Sequence, residues 1–63
     1  MEEARNIIEQ EIAKNEDNAR YWFERKTNAR TKIIKADAMG AYDMYVSKIV
    51  ALKNVLELLK GEQ

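Results

Sequence analysis

The chain has no cysteine, no histidine and no proline, and only two of its 63 residues are glycine. Without cysteine, disulfides and thiolate chemistry are excluded, a composition that fits a reducing compartment. Without histidine, carboxylates are the only remaining metal ligands, and nothing is left to activate Ser47, Thr27 or Thr31 as a nucleophile. No Gly-rich phosphate loop, calcium loop or Cys/His metal pattern occurs. A chain this short also cannot enclose a pocket alone. The expectation is a non-enzymatic protein with no cofactor.

Long hydrophobic runs are missing too. Uncharged stretches such as Ile49 to Leu52 fall far below the ~18 residues of a membrane span. Met1-Glu2-Glu3 lacks the basic start of a signal peptide. A soluble, cytoplasmic protein with no membrane partner is expected. At this size a domain buries only about 60% of the surface its unfolded chain exposes. Disulfides and a thiolate metal site being absent, association with another chain is the remaining source of stability.

Helix formers dominate what is present: alanine, glutamate, lysine, leucine and arginine. No stretch alternates apolar and polar over six residues. The fold expected is all-α, one helical domain over residues 1–63. In the first segment Ile8, Ile12, Asn15, Ala19, Trp22, Lys26, Ala29, Ile33 and Ala36 recur at alternating spacings of four and three. That series predicts one long helix from about Glu2 to about Lys35. The polar run Asn15-Glu16-Asp17-Asn18 offers an alternative, a turn with Asn15 as N-cap, which would give a three-helix monomer. Because the series keeps phase through the run, the continuous helix is favoured.

A second series, Tyr42, Tyr45, Ile49, Leu52, Leu56 and Leu59, does not share the phase of the first. Gly40 is the strongest internal punctuation and Asp37 a candidate cap, so a turn is expected within residues 36–40. Gly61 follows Leu58-Leu59-Lys60, where a helix C-terminus is expected. The result is a helical hairpin, with a single continuous rod as the competitor.

Trp22, Ile33, Tyr42, Tyr45, Ile49, Leu52, Leu56 and Leu59 are the expected packing residues within the chain. On a wheel of ~100° per residue, Met44, Ala51, Val55 and Leu58 widen the apolar arc of the second helix to roughly 240°. One partner helix cannot cover that arc. Met44, Val55 and Leu58 are therefore expected to serve a second contact, most simply in a homodimeric four-helix bundle. Association with a different protein is the other route.

Net charge is zero, yet it is unevenly laid out. Residues 1–17 hold six acids against Arg5 and Lys14, residues 18–36 hold six bases against Glu24, and the remainder holds four acids and three lysines. Antiparallel first helices of two chains would set acidic halves beside basic ones and fix orientation. A nucleic-acid interface using Arg20, Tyr21, Arg25, Arg30, Lys32 and Lys35 is the rival reading. The basic side chains scatter around a helix rather than forming one stripe, which favours the structural explanation. Asn15 and Lys26 interrupt the apolar series, as polar residues that specify register do. The function expected is a protein-binding or assembly module, an adaptor or small regulator.

Overall fold

The computed structural model describes residues 2–61, which form two α-helices, α1 over Glu2–Thr27 and α2 over Lys32–Gly61. There is no strand among the described residues. Helix α1 opens on Glu2 and Glu3 and closes on Arg25 and Lys26, so both ends complement the helix dipole. It runs unbroken through Asn15, whose side-chain amide donates to the Glu11 carbonyl at 2.7 Å. Asn15 is therefore a seam residue inside a helix and not a cap, and the three-helix alternative falls away.

The turn is not where Gly40 suggested. It occupies residues 28–31, and Gly40 lies inside α2, in backbone with no positive φ. Helix α1 accordingly ends at Thr27, eight residues before Lys35. Three contacts explain the position. The Thr27 hydroxyl donates to the Phe23 carbonyl at 2.9 Å, turning inward upon its own helix's last turn. The Ala29 amide bonds the Lys26 carbonyl three residues back, tightening the end. The Ile34 amide then donates to the Thr31 hydroxyl at 3.2 Å, which makes Thr31 the N-cap of α2.

The helices pack antiparallel into a rod of 49 × 14 × 11 Å. Glu16 pairs with Lys53 at 3.8 Å, and Phe23 meets Tyr42 with ring centroids 5.7 Å apart. Tyr42 is the eleventh residue of α2, whereas Phe23 is only the fifth from the end of α1. The first turns of α2 therefore overhang the end of α1. Ile33, expected to pack within the chain, lies on this overhang and is 83% exposed.

Little is buried between two helices alone. The core comprises Ile12, Ala19 and Ala38, with Asn15 the one buried polar residue among those described. Trp22, Tyr42, Tyr45, Ile49, Leu52, Leu56 and Leu59 are half-buried. Lys26 occupies its seam position by laying its ammonium 4.7 Å from the Phe23 ring centroid and 5.2 Å from that of Tyr42. The aromatic faces replace part of the water a buried ammonium would lose.

Candidate interaction surface

The hairpin has two long flanks, and they differ in chemistry. One carries the Glu16–Lys53 pair and an open groove of about 390 Å³ lined by Glu9, Ile12, Glu16, Lys53, Leu56 and Glu57. Its charges are exposed, and a pair of this kind contributes about 0–1 kcal/mol. This flank is charged, although Met39 and Val50 of α2 are exposed as well.

The other flank is apolar. Along α2 it presents Ala41, Met44, Lys48, Ala51, Val55 and Leu58, spaced alternately three and four residues apart. That is a second helix-packing seam, directly beside the one that meets α1. Met44 is 47% exposed, Val55 43% and Leu58 69%. Lys48 is the one charged member, and its ammonium reaches over the Tyr45 ring, 5.3 Å from the centroid. Its aliphatic stem thereby lies along the seam while the charge is held to one side. At the centre, Glu11, Asn15, Lys48, Ala51 and Leu52 line a shallow groove of about 360 Å³.

The chain exposes 5012 Å² at a mass of 7.4 kDa. A compact monomer of that mass exposes roughly 4,200 Å². The difference, about 800 Å², follows from the elongated rod that two helices alone make.

The basic residues collect at the turn end of the rod. Arg20 pairs with Asp17 at 3.3 Å on the surface. Arg25 stacks over Tyr21 and Trp22, at 5.7 and 5.5 Å from their centroids, and donates to the Tyr21 hydroxyl at 3.2 Å. Tyr21 is also in edge contact with Trp22 at 5.3 Å and remains 53% exposed. Arg25, Asn28, Ala29, Arg30 and Ile34 line an open concavity of about 240 Å³ beside the turn. Lys32 and Lys35 belong to α2 rather than α1, and of the cations it is Arg25 and Arg30 that share the concavity beside the turn.

No group of three or more His, Asp, Glu or Cys residues suited to hold a metal occurs among the described residues. Nor is any helix among them long and apolar enough to cross a membrane. Comparison of the chain with models of protein families, with curated proteins and with solved structures gives no match.

Proposed function

We propose that this chain is a non-enzymatic assembly module that acts by packing the exposed flank of α2 against another helical surface, in the first instance a second copy of itself. The observation that carries the reading is the unpaired seam of Met44, Ala51, Val55 and Leu58 on a helix that already spends one seam on α1. Each large apolar side chain moved fully out of water contributes about 1.5–3 kcal/mol. For a hairpin with so small a core, burial of this seam would be a large fraction of its total stability. The role fits a small adaptor or regulator that occupies a partner's surface, and a cysteine-free chain suits a cytoplasmic setting.

Molar mass by light scattering after gel filtration tests this at two concentrations. Twice the 7.4 kDa chain mass is expected in the concentrated sample, falling on dilution. A single-chain mass at both concentrations would sink self-association.

A second reading, binding of a nucleic acid, is favoured by the six bases at the turn end and by the arginine stacked on Tyr21. It predicts nucleic-acid affinity that falls steeply with added salt as counterions are released. A packing module shows no such dependence toward nucleic acid.

A further inference from the structure

Building on the reading of the α2 flank as a self-association surface, we propose that two copies join it antiparallel, about a two-fold axis passing between Lys48 and Ala51. The seam is self-complementary about that point. Reversing it on itself sets Ala41 opposite Leu58, Met44 opposite Val55, and Lys48 opposite Ala51. Large side chains then face small or medium ones, as interdigitating helices require. A parallel pairing would place Lys48 beside Lys48 and Leu58 beside Leu58.

Charge supplies an independent argument for the same axis. The Glu16–Lys53 and Phe23–Tyr42 contacts fix the level of one helix on the other. Between them, the Lys48–Ala51 midpoint stands near the middle of α1, where Lys48 and Ala51 share the central groove with Asn15. Close to this level the net charge changes sign: Glu2, Glu3, Glu9, Glu11, Glu16 and Asp17 outnumber Arg5 and Lys14 on one side, and Arg20, Arg25, Lys26 and Arg30 outnumber Glu24 on the other. A two-fold axis at this level lays the acidic half of each rod along the basic half of its mate. A parallel pair would set acid beside acid and base beside base, a like-charge arrangement that opposes association. The centre of the apolar seam and the point of charge reversal thus both fall near mid-rod, although they reside on different helices.

Single thiols test the arrangement, because the chain has no cysteine of its own. Met44→Cys and Val55→Cys alter exposed side chains, so the hairpin fold is not at risk. The two variants are unfolded together, refolded and oxidised, alongside each variant alone. In the antiparallel dimer the thiol at position 44 of one copy faces the thiol at position 55 of the other, whereas identical positions lie 11 residues apart along the axis. At 1.5 Å per residue that is about 16 Å, beyond disulfide reach. A disulfide-linked dimer is expected in the mixture and in neither variant alone. Self-linking of either variant, or a mixture that stays unlinked while light scattering reports a dimer, overturns the orientation and spares the association. A chain that stays single at every concentration removes both.

Discussion

Replacing Gly40 with alanine is expected to stabilise the protein, and the size of the gain follows from where this glycine sits. It is the ninth residue of α2, exposed, with ordinary negative φ. A Cβ built there meets no heavy atom within 4 Å, so the added methyl neither clashes nor gains packing. What remains is the backbone term. Alanine restricts the unfolded chain and favours the helix by ~0.8–1 kcal/mol relative to glycine in a helix interior. In a domain this small, 1 kcal/mol raises the melting temperature by roughly 4–8 °C. Thermal melts followed by circular dichroism at 222 nm, at matched protein concentration, provide the measurement. Matching is needed because an associating chain melts at a temperature that depends on concentration. If Gly40 instead formed the bend of the hairpin, the methyl would bring no helix stabilisation and would strain any turn that needs a glycine. An unchanged or lowered melting temperature would therefore refute the placement of the turn at residues 28–31.

Other substitutions probe other parts of the argument. Thr31→Ala removes the hydroxyl that accepts from the Ile34 amide and should cost about 1 kcal/mol, measurable by urea titration; Thr31→Asp should restore most of it. Ala38→Leu forces a larger side chain into the most buried site of the chain, 1% exposed, and should cost about 1–3 kcal/mol in the same assay. Leu58→Glu touches a residue 69% exposed in the hairpin, so a lone protomer should tolerate it. In the associated protein it should halve the mass seen by light scattering and lower the melt, and an unchanged mass and melt together would count against the seam.

Much of this architecture is written in spacing. The first apolar series, from Ile8 to Lys26, marks the face α1 turns to its neighbour, and the second, from Tyr42 to Leu59, does the same for α2. A change of phase between the two announces a hairpin. Its location is harder to read for two reasons. Ala29, Ile33 and Ala36 happen to continue the first series after the chain has already turned, so phase alone extends α1 too far. Ala38, four residues before Tyr42, continues the second series backward past Gly40, a signal that the glycine obscures. A glycine on an exposed helix face costs only ~1 kcal/mol, little enough for tertiary packing to override. The true start of α2 is marked by Thr31, a cap without the glutamate three residues later that would have made it conspicuous; Ile34 stands there instead. The exposure of Met44, Val55 and Leu58 on α2 is legible, because the width of an apolar arc depends on composition around the wheel and not on where the helix begins. The meeting of Arg30 with Arg25 beside the turn is not, since it depends on the position of the bend.

The bend itself contains no glycine and no residue with positive φ. Asn28, Ala29 and Arg30 need no glycine, although the Asn28 and Ala29 amides donate bonds that exclude proline, and Thr31 has a capping duty that restricts its identity. Proline apart, substitution at the first three positions is thus nearly free of conformational penalty. Electrostatic character at this tip is decoupled from folding: the arginine can be exchanged, or acids introduced, while the two rods stay joined. Variants spanning a range of tip charge on one unaltered scaffold are therefore within reach of simple mutagenesis, a handle on whatever meets that pole.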